Sequence, residues 1–484
     1  MTDSSSHSWT RDLRELAQTA WPLMLATGLF SITLFVDRLF LYRYSDAAAA
    51  AAMSSGTLFW SVTCLPVGIC GYTNTFVSQY LGVGRLDRAL HSVWQGMLLG
   101  IVLVPLLFLL GWFSCDLFLL AGHEPSLAKA EGDYFWWLVP GAAATIVAAS
   151  LVGLFAGSEK TIVLLYCDAA ATVLNAVLDW GLIFGNLGLP KLGVQGAAIA
   201  SSISLCLKLL LLVWFAYRYL AQGRFGPWPT PVRGSNDSAA TPQRLGSVMR
   251  FDLARMRRLI RFGWPAGVST IAEAWSFTII MILVAKLGEK PAAATTLALG
   301  VNVLAFIPLI GLGMAVGVVV GKYLVQNRWD TVQRMVRIGL AIGLTYSGLF
   351  VVLYGGFPDW AMSVYGIGTD PQRFEEMKPT LRPLLYFIAG YCVFDAIQIV
   401  FAGVLKGAGD TLTVLAGHVV AGAGTVGFGV FGWWMFGWDG LYYWWGIITV
   451  WVIVLAVLFS LRYWHGGWRN KRVIEPDLLI EEAP

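Results

Sequence analysis

Long apolar runs separated by short polar breaks recur along the chain, near residues 17–42, 47–72, 90–114, 134–156, 162–186, 194–219, 259–287, 292–320, 334–357, 381–404, 412–436 and 440–463. A helix needs roughly 20 apolar residues to cross about 30 Å of hydrocarbon, and each run comes close to supplying them. The pattern predicts an all-α integral membrane protein of twelve transmembrane helices. Residues 220–257 break the rhythm with a polar stretch of Gly, Pro, Ser, Asn and Arg, too long for a tight helical connection. The expected organisation is therefore an N-terminal segment 1–16, an N-lobe 17–219, a linker 220–257, a C-lobe 258–463 and a tail 464–484. The opening residues are polar and carry Arg11, Asp12, Arg14 and Glu15, so no cleavable signal peptide is expected. Leu13, Leu16, Ala17 and Ala20 at helical spacing fit either a short amphipathic helix lying on the membrane or a frayed end.

The two halves share polar landmarks. Trp21-Pro22 recurs as Trp264-Pro265, and Tyr80, Arg85 and Asp87 recur as Tyr323, Arg328 and Asp330, all at an offset of 243 residues. Gly153, Gly157 and Thr161 in GLFAGSEKT find counterparts in Gly403, Gly407 and Thr411 of GVLKGAGDT. Six spans is an even number, so both halves start on the same face and the repeat is parallel. Two pseudo-symmetric six-helix bundles joined by a linker are a transporter architecture, with a substrate site between the halves.

Composition agrees: hydrophobic residues make up 57% of 484 positions and charged residues 13%, about half the charged share of a soluble domain. The placement of Lys and Arg matters more than their sum. With the N-terminus cytoplasmic, the linker arginines and Arg462, Arg469, Lys471 and Arg472 of the tail fall inside, so both termini are expected in the cytoplasm of a bacterial inner membrane. Nothing in this charge pattern calls for a nucleic-acid partner. The six cysteines lie in or beside apolar runs without metal-binding spacing and read as packing residues.

Ionisable residues inside hydrocarbon are costly and usually face a cavity, which makes them the first functional candidates. In the first half Asp37 lies on span one, and Asp168, Asn175 and Asp179 lie on span five. At about 100° per residue, Asn175 and Asp179 are about 40° apart and Asp168 about 20° from Asp179, so they share one stripe. In the second half Glu273 interrupts an apolar stretch, and Tyr391, Asp395 and Gln398 form a stripe on span ten. Such carboxylates can take up and release protons as a coupled set, or ligate a hard cation such as sodium. The residues alone leave both open. Trp60 and Trp275 are candidates for contact with organic cations through their ring faces.

These residues carry a resemblance. The chain, over residues 10 to 465, resembles the multidrug and toxic compound extrusion (MATE) family: Pro22 and Asp37 in span one, Asn175-x-x-x-Asp179 in span five, LGVQGAAIASSIS opening span six, GVLKGAGDT after span ten, Pro265 ahead of Glu273, and Tyr391-x-x-x-Asp395. The resemblance implies an ion-driven antiporter that exports amphipathic, cationic organic compounds by alternating access. It implies a proton-responsive N-lobe cluster of Asp37, Asn175 and Asp179, with Pro22 letting span one bend. It also implies a coupling-cation site of Glu273, Tyr391 and Asp395 in the C-lobe, where sodium would bind. Asp168, Gln398 and Trp275 are further cavity candidates. No cofactor is expected beyond the coupling proton or sodium; the expected partners are a small organic substrate and membrane lipid, with one chain as the transport unit.

Other readings fit less well. ATP-driven export is disfavoured because GLFAGSEKT lacks the spacing of a P-loop. A lipid-linked precursor flippase of the same superfamily would be expected to have more spans and a basic cavity. An intramembrane aspartyl protease using Asp395 and Asp410 rests on the GAGD match, but that segment falls at a turn where Asp410 or Thr411 can cap a helix. No enzyme activity is expected.

Overall fold

The structure, a computed structural model, describes residues 3–224, 249–365 and 371–478. Among them the chain forms α1 (Asp3–Tyr44), α2 (Asp46–Gly71), α3 (Thr73–Gly82), α4 (Leu86–Trp112), α5 (Ser114–Leu120), α6 (Pro125–Gly157), α7 (Ile162–Phe184) and α8 (Val194–Ala221). It continues with α9 (Leu253–Ala285), α10 (Glu289–Val325), α11 (Trp329–Gly356), α12 (Pro358–Tyr365), α13 (Pro371–Ala408), α14 (Thr411–Phe436) and α15 (Leu441–His465). Among the described residues, twelve segments are long and apolar enough to cross a membrane, α2 and α3 together making one. Each answers to one of the twelve apolar runs. Most of the expected linker, 225–248, lies outside the described residues, and α9 begins at Leu253, ahead of the expected lobe boundary at 258.

The segment 1–16 is neither a separate surface helix nor a frayed end where it is described, because α1 continues through it and through Pro22 without a break. Charge pairing holds its polar turns. Asp12 is buried and accepts from Arg334 at 2.6 Å, while Glu15 accepts from Lys322 and from the Tyr323 hydroxyl, each at 2.8 Å. The residues supplying these partners are distant in sequence, so helical periodicity near the N-terminus could not reveal them.

The chain forms two compact units that cut across the sequential halves. Unit 1 comprises Met1–Thr27 and Val268–Arg472, and unit 2 comprises Gly28–Gly267 and Val473–Pro484. Helix α1 thus starts in unit 1 and ends in unit 2, and α9 does the reverse. Both changes fall shortly after the repeated Trp-Pro pair.

Within unit 2, α6 packs against α8, α2 and α4; within unit 1, α13 packs against α10, α11 and α15. These are the fourth spans of the two halves and the two most buried. Small residues let their neighbours approach closely, as membrane helices require where apolar burial alone gives no preference for protein over lipid. A methyl group at Gly157 would fall inside contact distance of the Asn74 carbonyl in α3, and one at Gly403 or Gly407 would strike the carbonyls of Gly313 and Gly317 in α10. The repeated glycines of GLFAGSEKT and GVLKGAGDT are therefore packing residues.

The turn after α13 places Gly409 at φ +97° and Asp410 at the N-cap of α14, where the Thr413 hydroxyl donates to its Oδ1 at 2.8 Å. Asp410 is fully buried and ion-paired with Arg462 at 2.8 Å and Lys471 at 3.3 Å. It follows Asp395 by fifteen residues, about 22 Å along a helix, so the two acids are not arranged as a catalytic pair. We expect Asp410→Asn to lower stability by about 2 kcal/mol, below the roughly 3–5 of a fully buried pair because both cations are partly exposed. A thermal melt of the purified protein checks this. Transport per folded molecule should be retained, whereas its loss would reopen a chemical role for Asp410.

Candidate functional site

In unit 2, α1 and α7 lie side by side where Thr33 and Thr172 share a hydrogen bond of 2.9 Å between their hydroxyls. One helical turn beyond each threonine sit Asp37 and Asn175, and another turn along α7 sits Asp179. Asn175 and Asp179 are buried, with Asp179 at 0% exposure. Turned so that its nitrogen faces both acids, the only orientation that satisfies them, the Asn175 amide donates to Asp37 Oδ1 at 2.8 Å and to Asp179 Oδ2 at 3.2 Å. Asp37 and Asp179 thus converge on one amide and lie within electrostatic reach of each other. Asp179 Oδ1 is buried without a hydrogen-bond partner. Leaving a buried carboxylate oxygen unpaired is expensive, which marks the cluster as a place where protonation changes the balance of forces.

The sequence-predicted trio thus meets, and two further residues join it. Ser201 of α8 lies 3.5 Å from Asp37 Oδ2 and 3.3 Å from the Asn175 amide, and buried Tyr134 of α6 lies within electrostatic reach of both acids. Ser201 belongs to the LGVQGAAIASSIS stretch, so its presence in a motif was the available signal. Asp168 does not join. It shares the stripe but lies eleven residues from Asp179, about 16 Å along the helix, where it pairs with Lys208 of α8.

In unit 1, Asp395 and Gln398 are buried one turn apart on α13, and Glu273 of α9 interacts electrostatically with Asp395. Tyr391, one turn before Asp395, is buried in the apolar core and within electrostatic reach of that acid. Periodicity did not single out Lys406 as part of this site. It lies on α13 in electrostatic contact with Glu273 and with buried His418 of α14. Its only sequence signal was its place in GVLKGAGDT. Trp275 is two residues from Glu273, about 200° around α9, and is 64% exposed, so it presents a different face. Pro22 is buried within a continuous helix, five residues before unit 1 gives way to unit 2.

A family model described as MatE matches residues 22–180 and 265–427, which together make up about two thirds of the chain and contain both acidic clusters. The chain belongs to the MATE family. It is a multi-pass membrane protein and a secondary transporter, not an enzyme, and MATE transporters need no cofactor. Among curated proteins it is 27% identical over 418 residues to the multidrug resistance protein NorM of Burkholderia vietnamiensis, covering 85% of this chain and 84% of that one. It is 24% identical over 467 residues to a probable NorM of Pseudomonas putida, covering 96% of both. Among solved structures, the eukaryotic MATE transporter AtDTX14 aligns at TM-score 0.78 and 19% identity over 96% of this chain and 97% of that one. A MOP superfamily transporter from Pyrococcus furiosus aligns at 0.81 and 16% over 95% and 97%. At these identities the solved structures establish the fold. The two MatE matches also repeat the division into halves, with Pro22 and Pro265 near the start of each.

Proposed function

We propose that this MATE transporter is a cation-coupled antiporter that exports amphipathic, cationic organic compounds, with inward proton or sodium movement driving outward release by alternating access. The observation that carries this is the Asp37–Asn175–Asp179 cluster, whose two acids converge on one amide and leave one buried oxygen unpaired. A state that exposes this cluster to the outside can load an ion that the other state must release. The Glu273–Asp395 pair, with Tyr391 and Gln398, supplies a second ion site. Multidrug resistance, in the names of the NorM relatives, supplies the substrate class. We further propose cytoplasmic termini and a single chain as the transport unit. Pro22 is the hinge of α1 in this reading.

Proteoliposomes given a sodium gradient and a proton gradient separately, with efflux of a fluorescent organic cation as the readout, test the reading. Acceleration by at least one gradient is expected. Response to neither would overturn ion coupling and favour a flippase.

The N-lobe cluster has its own test. Asp37→Asn and Asp179→Asn keep shape but remove one carboxyl each, so the pair can no longer pass one proton between two acids. The dependence of transport rate on pH should flatten in both variants. Profiles that superimpose on wild type would leave these residues structural.

A further inference from the structure

The repeat places a different chemistry at one pair of equivalent positions. In unit 1 the Tyr323 hydroxyl donates to Glu15, and Lys322 pairs with the same carboxylate. Shifted by the repeat offset of 243 residues, Tyr323 becomes Tyr80, Lys322 becomes Gln79 and Glu15 becomes Arg258. Arg258 has no oxygen to accept from Tyr80, so unit 2 needs an acceptor from elsewhere. The segment after the last transmembrane helix provides it. Glu475 Oε2 accepts from the Tyr80 hydroxyl at 2.9 Å and pairs with Arg88 at 3.1 Å, while its Oε1 pairs with Arg258 at 2.9 Å.

The docking extends beyond one carboxylate. Val473 and Ile474 are buried at 0% and 2% exposure, and the Val473 N–H donates to Gln79 Oε1 at 3.0 Å. Glu475 lies outside the membrane-spanning helices. Burial works against its charge, but a backbone N–H, the Tyr80 hydroxyl, Arg258 and Arg88 outweigh that cost and hold its carboxyl below the usual range. Its contribution is therefore fully present above the ordinary carboxylate value and is lost only as pH falls through the lowered one. Around neutral pH the anion stays charged.

The neighbouring residue is held differently. Arg472 donates from Nη2 to the Leu324 carbonyl at 2.9 Å and belongs to unit 1, whereas Val473 belongs to unit 2. The chain therefore passes from unit 1 to unit 2 within a single peptide link, about 3.8 Å between Cα atoms.

We propose that residues 473–475 are a built-in ligand of unit 2, held by an anion site of Tyr80, Arg88 and Arg258, and that this ligand leaves its site in each transport cycle. The proposal rests on the alternating-access reading above, because only movement of one unit against the other demands release. Charge-assisted hydrogen bonds to arginine suit such a latch, being specific yet exchangeable with water.

Two measurements test it. Hydrogen exchange over residues 473–478 in the full-length protein should quicken about tenfold in Glu475→Gln while α15 is unchanged. Equal exchange in both proteins would show that the anion site does not hold the segment. For the cycle, Tyr80→Cys and Glu475→Cys are combined in a background lacking the six native cysteines and joined with a short bis-methanethiosulfonate reagent. Cross-linking should stop gradient-driven efflux, and reduction should restore it. Complete cross-linking with undiminished efflux would overturn release. Gradient-independent efflux before cross-linking would instead count against the antiport reading itself, so the two failures are distinguishable.

Discussion

Asp395→Asn should remove most of the gradient-driven component of transport while leaving the protein folded, and Glu273→Gln should do the same. Asn has the shape of Asp, so packing on α13 around this buried position survives. What disappears is the negative charge proposed to bind a proton or sodium. Coupling between two sites in one protein is typically about 1–3 kcal/mol, so the ion-dependent stimulation should fall about 5- to 150-fold. The measurement is efflux from proteoliposomes with and without an imposed gradient, alongside size-exclusion profiles of each variant. A variant that is monodisperse, yet responds to the gradient as wild type does, would sink the C-lobe assignment. Lys406 sharpens the comparison, because it is a resident cation beside Glu273. Removing the Glu273 charge takes away one attraction on that ammonium, and weaker compensation of a charge in low dielectric is costly. Glu273→Gln should therefore destabilise more than Asp395→Asn, a difference that thermal melts can read.

Much of the architecture was legible because hydrocarbon imposes it. Apolar length gave twelve spans, and polar landmarks such as Tyr80 and Tyr323 held their register through the repeat. The acids were legible for the same reason, since Asp179 and Asp395 interrupt long, mostly apolar runs. Angular periodicity, however, says which face a residue occupies but not how far along the helix its partner lies. Asp168 shares the face of Asp179 and yet pairs with Lys208. Contacts between distant segments were also hidden. Ser201 reaches Asp37 across 164 residues, and Glu475 reaches Tyr80 across 395. No local pattern encodes such pairs. The exchange of helix segments between the units was equally invisible, since α1 and α9 each read as one uninterrupted apolar run.

Gly407→Val should be the most damaging single change outside the acidic clusters, and its effect should be on folding. Gly407 faces Gly317 of α10, and Gly403 faces Gly313, so two pairs of glycines spaced four apart bring the backbones of α10 and α13 into contact. A side chain at Gly407 meets the Gly317 carbonyl and Cα, which are backbone atoms and cannot rotate away. The helices must separate. That separation would disturb the packing of α13 against α10, beside which Asp395 sits. Overpacking a tight core costs about 1–3 kcal/mol where side chains can yield, and a clash with backbone lies at or above the top of that range. A large drop in melting temperature and in the monodisperse fraction is expected. Gly390, on the same helix with open space around its Cβ position, is the control. Gly390→Ala should be neutral or mildly stabilising, by up to about 1 kcal/mol, because alanine restricts the unfolded chain. Equal tolerance at Gly407 and Gly390 would mean that the close approach of α10 and α13 does not hold the unit together.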